Sequence, residues 1–392
     1  MTRCLKLFAC LIATLCMGAA LAQTPTDQTY QRPDTTSPPV AYIYVSRPTH
    51  IDAFAAASDG KLALIGSPIV KDVSHMSVTK KYLFGLDDNN TDIDTFTIES
   101  NGAIKYLTDV NAQKFTPDGI DCSSLGPIRL DQTGSTLYNL VGDVCQDGQA
   151  YQAFKIESNG DLQFLNTAFA GLPADVVVLG PISFLGNNKF AYQVGCSDDD
   201  GLTGASIVGY KRTSTGALET LISVGGGVPT PKNPDDNYCP GVIATDSTDH
   251  LVESLQEYSS NDGEFEGPWL LANFTGNSEG NLTTKSTYEN MPSTSISFVN
   301  TMSISPSSKL LAVGGTGFQV YHFDGGNPIT KLTGKISTSG SVEEFAWDSS
   351  SHLYVLTSND LYVYNVTSTS VKEATGSPYS IPEASSLIVL TK

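Results

Sequence analysis

The chain has 392 residues, with 41 acidic and 22 basic side chains and a formal net charge of −19 at pH 7. This charge is repelled by phosphate backbones and anionic lipid surfaces, which excludes nucleic acid and anionic membranes as favoured partners. The charge would instead attract cations or basic ligands.

The N-terminus has the features of a secretory signal peptide. Arg3 and Lys6 precede an apolar run over residues 7–17, and Ala20-Leu21-Ala22 is a small-residue cleavage motif before Gln23. The apolar run is too short to span a bilayer. We predict that residues 1–22 are a signal peptide and that the protein is exported to the periplasm or the extracellular space, with no membrane span.

Residues 23–39 are rich in Thr and Pro and poor in apolar side chains. A segment of this composition cannot bury enough apolar surface to fold by itself. We expect a disordered or extended lead-in there, followed by one domain over residues 40–392.

The rest of the chain repeats one four-part unit. In its clearest copy, apolar segments at residues 73–78, 82–86 and 93–98 are followed by Asn101-Gly102 and then by Ile104. Apolar and polar side chains alternate, which indicates strands, and no sustained helical pattern follows the signal peptide. A period of about 40 to 50 residues with four strands per unit predicts a β-propeller.

Seven copies of the unit are present. The second strands are predicted at residues 42–45, 82–84, 137–140, 190–192, 251–252, 310–313 and 353–356, and the third strands follow at residues 51, 93, 152, 207, 269, 318 and 361. The predicted fold class is therefore all-β, a seven-bladed β-propeller with four antiparallel strands per blade. The strands of a blade are called a to d, from the central channel outwards.

The two chain ends are predicted to share one blade. The final strand, at residues 385–390, has no partner after it in the sequence. Pairing Leu387 to Leu390 beside Tyr42 to Val45 completes a four-stranded blade and closes the ring, which removes exposed sheet edges.

Four cysteines follow the signal peptide: Cys122, Cys145, Cys196 and Cys239. An even number in an exported chain predicts two disulfides. In the propeller frame all four lie on the face with the d-to-a and b-to-c connections, here called the upper face. Proximity favours Cys122 with Cys145 and Cys196 with Cys239, although the other pairings stay open; the absence of C-x-x-C disfavours a metal-thiolate site.

Acidic side chains are concentrated in the loops of the upper face. The candidate binding residues among them are Asp198, Asp199, Asp200, Asp235 and Asp236. We predict one strongly anionic face, which would attract cations or a basic ligand. The alternative is that this charge serves only the solubility of a secreted protein.

The first strands of all blades begin around the upper mouth of the channel, a concavity where propellers commonly bind ligands. Polar residues there come from consecutive blades: His75, Asn300, Glu343, Glu344 and Ser386. An imidazole, carboxylates, an amide and a hydroxyl could supply a general base, a polarising donor and a proton relay for opening an ester or lactone. The alternative is that they are ordinary hydrated channel residues.

A calcium site is a further hypothesis. Asp88, Asn90 and Asp92 begin a spacing that Asp94 and Glu99 continue, as in a calcium-binding loop. The glycine that such a loop needs is replaced by Ile93, so only a looser Ca²⁺ site is compatible with the strand predicted there. No other cofactor is indicated.

Three units carry a resemblance to a known group: Ile51-Asp-Ala-Phe54 with Asp59-Gly60, Ile93-Asp-Thr-Phe96 with Asn101-Gly102, and Phe154-Lys-Ile156 with Asn159-Gly160. They resemble the seven-bladed lactonase-like propellers of exported bacterial proteins, a group that includes surface-layer propellers with Tyr-Val-Thr-Asn-type repeats. The resemblance implies a seven-bladed ring, export and, for some relatives, hydrolysis of a sugar lactone.

Three functions are compatible with these patterns. The first is a non-catalytic extracytoplasmic binding propeller, monomeric, whose acidic surface faces a protein, a cationic ligand or a carbohydrate. The second is a lactone or ester hydrolase acting at the channel mouth. The third is a metal-dependent enzyme with ligands from the acidic loops.

Overall fold

A computed structural model describes residues 38–115, 124–141, 150–169, 176–197, 206–221, 224, 227–259 and 264–392. These residues form seven sheets whose innermost strands contact one another in a closed cycle around a central channel. The seven-bladed all-β prediction is confirmed. The described helical structure is a single 3₁₀ turn, Ala112–Phe115.

The strands follow the predicted order along the chain. Those of the first half are β1 (Ala41–Arg47), β2 (His50–Ala56), β3 (Leu62–Leu64), β4 (Val73–Val78), β5 (Tyr82–Asp87), β6 (Asp92–Ile98), β7 (Ile104–Asn111), β8 (Ser124–Leu130), β9 (Thr136–Val141), β10 (Ala150–Ile156), β11 (Leu162–Phe169), β12 (Val176–Phe184), β13 (Phe190–Ser197), β14 (Ser206–Arg212) and β15 (Leu218–Thr220).

Those of the second half are β16 (Asn237–Thr245), β17 (His250–Ser259), β18 (Glu264–Gly276), β19 (Leu282–Thr284), β20 (Val299–Ile304), β21 (Leu310–Gly315), β22 (Gly317–His322), β23 (Thr330–Lys331), β24 (Val342–Trp347), β25 (His352–Thr357), β26 (Asp360–Val366), β27 (Val371–Glu373), β28 (Tyr379–Ser380) and β29 (Ser386–Thr391).

Each blade contains four antiparallel strands in the order a to d. Blade 1 is β29-β1-β2-β3, and blades 2 to 7 take the next strands in groups of four, starting with β4 and ending with β27. The short strand β28 is added to blade 7 beside β26. All seven predicted second strands and third strands are found in positions b and c.

The chain ends close the ring as predicted. Strand β29 pairs antiparallel with β1, and Leu387 lies opposite Val45 while Leu390 lies opposite Tyr42. Blade 1 is thus built from both termini, and its a strand is provided by the last residues of the chain.

The a strands of the other six blades contain an irregularity that the sequence did not predict. In each, the register against strand b shifts, directly after the first residue of the strand in blades 2, 3, 6 and 7 and around its middle in blades 4 and 5. In blades 2, 6 and 7 the extra residues are Ser74, Asn300 and Glu343. A β-bulge bends the strand and redirects its side chains, so the bulges shape the channel mouth.

The apolar core is divided into seven clusters, one between each pair of neighbouring blades. This division follows from strands that are apolar on both faces, because each blade is covered on both sides. Large side chains such as Tyr44, Tyr138 and Phe84 are fully buried there. Burial of a large apolar side chain contributes about 1.5–3 kcal/mol, so the junctions between blades supply most of the stability.

A repeated contact closes these junctions on the lower face, which carries the a-to-b and c-to-d turns. A side chain at the start of strand b packs against a glycine of the following blade's c-to-d turn, and we call this contact the lower-face seal. The pairs are Tyr42 with Gly102, Tyr82 with Gly160, Thr136 with Gly216, Phe190 with Gly280, His250 with Gly325 and His352 with Gly60. All six glycines have positive φ, a conformation that favours glycine.

Candidate functional site

The channel mouth brings together two of the predicted residues from blades 7 and 1. Glu344, near the upper end of β24, accepts hydrogen bonds through Oε2 from the hydroxyl of Ser386 (3.1 Å) and the backbone N–H of Leu387 (2.6 Å). Burial raises the pKa of Glu344, while the positive charge of Arg129 and these two hydrogen bonds oppose the rise. The carboxylate therefore ties the a strands of blades 7 and 1 together at the channel.

Arg129, in the a strand of blade 3, was missed by the sequence analysis. Arg129 pairs with Tyr138 of strand b. When strands b are aligned on Tyr42 in blade 1 and on their first residues in the other blades, the a-strand residues at the position of Arg129 are Ser77, Ser183, Ala244, Ser303, Ala346 and Ile388. Five of these six residues are small and none is charged. A basic side chain at a position that is otherwise small or apolar was the signal that would have identified it.

The charge of Arg129 acts across the channel. It opposes the rise in the pKa of Glu344 in blade 7 and contributes to the lowered pKa of His75 in blade 2. Blades 3 and 7 are not neighbours, so the first interaction has to cross the central channel. The guanidinium donates one hydrogen bond through Nη1 to the carbonyl of Ile128 (3.0 Å), and a guanidinium has five N–H donors, so others are available to a ligand.

His75 lies in β4, the a strand of blade 2, where the charge of Arg129 from blade 3 acts on it. Burial, together with the charge of Arg129, lowers the pKa of His75 to about 4. Its ring packs against the backbone of Gly126 in the next blade, where a Cβ atom would collide with the imidazole. His75 is therefore a neutral imidazole at pH 7, which is the form that accepts a proton.

The remaining two candidates, Asn300 and Glu343, lie on the bulges of blades 6 and 7. The side-chain oxygen of Asn300 is buried and has no hydrogen-bond partner. Glu343 is exposed to solvent. The hydrogen bonds of the Glu344 carboxylate go to Ser386 and Leu387 and not to either of these two side chains.

The structure describes only some residues of the predicted acidic face. Asp198, Asp199 and Asp200 lie outside the described residues. Asp235 and Asp236 lie in the loop before β16, and Asp236 accepts a hydrogen bond from the side chain of Asn233 (2.8 Å). Burial and then the charges of Asp236 and Glu266 raise the pKa of Glu257, so negative charge is concentrated in this part of the upper face.

The calcium candidates Asp88 and Asn90 lie in the turn between β5 and β6, and Asp92 is the first residue of β6. The turn is closed by Asp87, whose Oδ1 accepts hydrogen bonds from the backbone N–H groups of Thr91 (2.7 Å) and Asp92 (2.9 Å). Asp92 accepts a further hydrogen bond from the side chain of Asn111 (2.7 Å). Within the described part of the chain, no three His, Cys, Asp or Glu side chains are grouped as a metal site would require.

A disulfide joins Cys196 of β13 to Cys239 of β16, the pairing that proximity favoured. It connects strand b of blade 4 to strand a of blade 5 at their upper ends. Cys122 and Cys145 lie outside the described residues.

Two Asp–His pairs outside the channel have a structural role. Asp348 accepts hydrogen bonds from His352 (2.7 Å) and from the hydroxyl of Tyr354 (3.0 Å), and all three side chains are buried in blade 7. Asp246 and His250 repeat the arrangement in blade 5 at 3.0 Å. Because both histidines also form lower-face seals, these pairs stabilise the junctions between blades.

No protein-family model matches the sequence, and no curated protein matches it. Solved structures match the fold. A Bacteroides fragilis protein described as a candidate 6-phosphogluconolactonase aligns over 92% of this chain and 100% of its own, with a TM-score of 0.63 and 13% identity. The periplasmic gluconolactonase of Pseudomonas aeruginosa aligns over 90% of this chain and 99% of its own, with a TM-score of 0.63 and 12% identity.

This chain has the fold of the lactonase-like propellers. A Lactobacillus plantarum protein with no activity in its description aligns equally completely, over 89% of this chain and 99% of its own, with a TM-score of 0.60 and 14% identity. At such low identity the likeness to lactonase-like propellers concerns the fold alone. In the parts of the chain that the structure describes, no helix has the length and apolar character needed to cross a membrane.

Proposed function

We propose that this lactonase-like propeller hydrolyses a lactone or ester in its central channel. The observation that carries the proposal is the cross-channel group of a cation, a neutral imidazole and a carboxylate, provided by Arg129, His75 and Glu344 from three different blades. Two structures with the same fold are described as a candidate 6-phosphogluconolactonase and a gluconolactonase, which favours a sugar lactone as substrate.

Each member of the group has a step to perform. The neutral ring of His75 takes a proton from water while the water oxygen bonds to the carbonyl carbon of the lactone. Arg129 stabilises the negative charge that develops on the carbonyl oxygen. The ring carbon–oxygen bond then breaks, the leaving alkoxide takes the proton from His75, and the product is a hydroxy acid.

Glu344 acts by positioning and by charge balance. Its hydrogen bonds to Ser386 and Leu387 hold it on the channel wall, opposite the guanidinium of Arg129. The negative charge of a carboxylate held there balances the positive charge of Arg129. Without this balance the channel would bind the anionic hydroxy acid product tightly. Product release is thereby favoured over retention.

The test is hydrolysis of glucono-1,5-lactone, followed as acid release at constant pH with the rate in buffer alone subtracted. We expect Arg129→Met and His75→Gln each to lower kcat/KM by at least about 100-fold. Because only neutral His75 accepts a proton, kcat/KM of the parent protein should rise through pH 4 to a plateau, and this rise should be absent in His75→Gln.

The control variant is Lys331→Met, which removes an exposed charge from the outer edge of blade 6. It should keep the parent activity. Equal rates with and without the protein, for glucono-1,5-lactone and for a panel of esters, would exclude hydrolysis. Full activity of the Arg129 and His75 variants would instead show that any hydrolysis does not depend on this channel group.

A binding propeller is the second candidate function. It is favoured by the carboxylates of Asp236, Glu257 and Glu266 on the upper face, since the charges of Asp236 and Glu266 raise the pKa of Glu257 and a cationic ligand would relieve this repulsion. Export is part of both proposals, because the Cys196–Cys239 disulfide is typical of oxidising compartments. A pulled-down partner that is lost when Asp235 and Asp236 are replaced by lysine, without lactone turnover, would favour binding.

A further inference from the structure

The junction between blades 6 and 7 lacks the lower-face seal that closes the other six. The first side chain of strand b in blade 6 is Leu310, and the c-to-d turn of blade 7 contains no glycine. The backbone bond of this turn runs from Thr367 N–H to the carbonyl of Ser370. In blade 2 the corresponding bond runs from Glu99 N–H to Ala103, one residue farther along the chain.

An open cleft lies beside this shorter turn. The cleft has a volume of about 410 Å³. Leu310, Phe323 and Val366 form its apolar floor, and the ion pair of Lys309 with Asp324 stands at one side. Hydroxyl side chains line the rim: Ser307, Ser351, Thr367 and Ser368.

A second cleft of about 420 Å³ adjoins the first, between blades 5 and 6, and the seal residues His250 and Gly325 are part of its lining. The two clefts share Lys309 and Asp324, so they lie in line across the lower end of blade 6. The second cleft is polar, and Asn327, Lys285 and Asp246 are among its lining residues, so it too contains both a basic and an acidic side chain.

We propose that these two clefts together bind a neutral oligosaccharide that runs across the lower end of blade 6. Two clefts in line favour an extended ligand of several similar units over a single small molecule. Each has a volume within the range typical of ligand pockets.

The chemistry of the lining favours a neutral, hydroxylated ligand. Lys309 and Asp324 have opposite charges with their Nζ and Oδ1 atoms 2.7 Å apart, so the shared part of the clefts selects neither cations nor anions. The pair offers donors and an acceptor to sugar hydroxyls. Both side chains are more than 60% exposed, and an ion pair in that setting contributes little stability, so it can rearrange around a ligand at small cost.

The apolar floor adds a second feature of sugar recognition. The C–H face of a sugar ring can lie against the carbons of Leu310 and Val366 while its hydroxyls contact the serine and threonine rim. A purely apolar ligand would leave these hydroxyls without partners, which costs free energy.

The test is titration of the whole protein with cellopentaose, maltopentaose, xylopentaose and N-acetylchitopentaose, by calorimetry. We expect at least one of them to bind at millimolar concentration or below. Asp324→Ala should weaken that binding about tenfold, as expected for loss of one charge-assisted hydrogen bond.

Ser368→Trp should block the first cleft from its exposed rim without disturbing the core, and should abolish binding. Thr369→Trp, on the same exposed turn but outside the lining, is the matched control and should bind like the parent protein. Parent-level unfolding temperatures in both variants would show that the fold is retained.

Three results would overturn the proposal: no binding of any of the four saccharides, equal binding by Ser368→Trp and Thr369→Trp, or binding that is lost in Arg129→Met. The last would place the saccharide in the channel. Binding only of polygalacturonate or only of chitosan would show a charged ligand and would also overturn the proposal.

Discussion

The junctions between blades and the wall of the channel follow opposite rules. At the junctions the same contact recurs, since a residue at the start of strand b meets a positive-φ glycine of the next blade six times. At the channel wall each blade contributes a different residue, from His75 in blade 2 to Arg129 in blade 3 and Glu344 in blade 7. Repetition and variation are thus separated in space.

The physical reason is packing. A junction residue is enclosed by two sheets, so its shape has to match both. A channel residue faces an open space around which seven strands are arranged, so each blade can change it with little effect on its neighbours. Changes at junctions should therefore cost stability, and changes at the channel should cost activity.

The largest expected effect comes from breaking the junction that the two termini close. Deleting residues 385–392 removes β29, which supplies the whole a strand of blade 1 and the buried side chain of Leu387. We expect loss of the cooperative thermal transition, because an inner strand is missing and an open sheet edge appears. Circular dichroism and size-exclusion chromatography would show it.

The control is a permuted chain in which residues 385–392 are placed directly before Val40. Lys392 N–H already bonds to the carbonyl of Val40, so a short turn would restore β29 beside β1. This chain should recover the transition. A cooperative transition in the deletion variant at the parent temperature would contradict closure by β29.

A smaller effect is expected from one lower-face seal. Gly102 has φ +86, and an added Cβ would collide with the ring of Tyr42. Gly102→Ala should lower the free energy of unfolding by about 4 kcal/mol, from backbone strain together with overpacking. Gly66→Ala separates the two causes, because Gly66 has φ +62 and open space around its Cβ position, and it should cost only about 1 kcal/mol. Equal losses in denaturant titrations would argue against the seal.

The smallest expected effect comes from the junction of blades 4 and 5, which buries Glu253. Its carboxyl is fully buried without hydrogen-bond partners, and burial raises its pKa to about 8. The folded pKa lies above the unfolded value, so the folded protein keeps a proton that the unfolded chain releases. Stability should therefore fall as pH rises from about 4.5 to 8.

Glu253→Gln removes this ionisation and should raise the free energy of unfolding by about 3 kcal/mol at pH 8, with no gain below pH 4. The exposed Glu219→Gln is the control and should change nothing at either pH. A gain in Glu253→Gln that is the same at pH 4 and pH 8 would show that Glu253 is not titrating in this range.

The prediction of the fold succeeded because the signals are local. Period-two alternation and turn residues mark every second and third strand, and the unpartnered segment at residues 385–390 predicts its pairing with Tyr42 to Val45. The bulges beside Ser74, Asn300 and Glu343 were not predicted. They depend on how the a strands fit around the channel, and no local pattern marks them.

The candidate site was predicted less completely. His75, Glu344 and Ser386 were placed at the channel mouth from their alignment across blades, and the structure puts Glu344 and Ser386 in hydrogen-bond contact. Arg129 was overlooked because one arginine in a strand carries no motif. Its importance comes from the opposite wall, where Glu344 is 215 residues away in the chain but faces the same open space.

The sequence by itself determined the number of blades, the strands within them and the closure by the two termini, because these depend on short-range alternation and repetition. Only the tertiary structure decided which charges meet across the channel, that Glu253 is buried without a partner and that two clefts lie in line across the lower end of blade 6. Those features arise where strands distant in sequence face one another, and their distances and enclosure are not encoded in any single repeat.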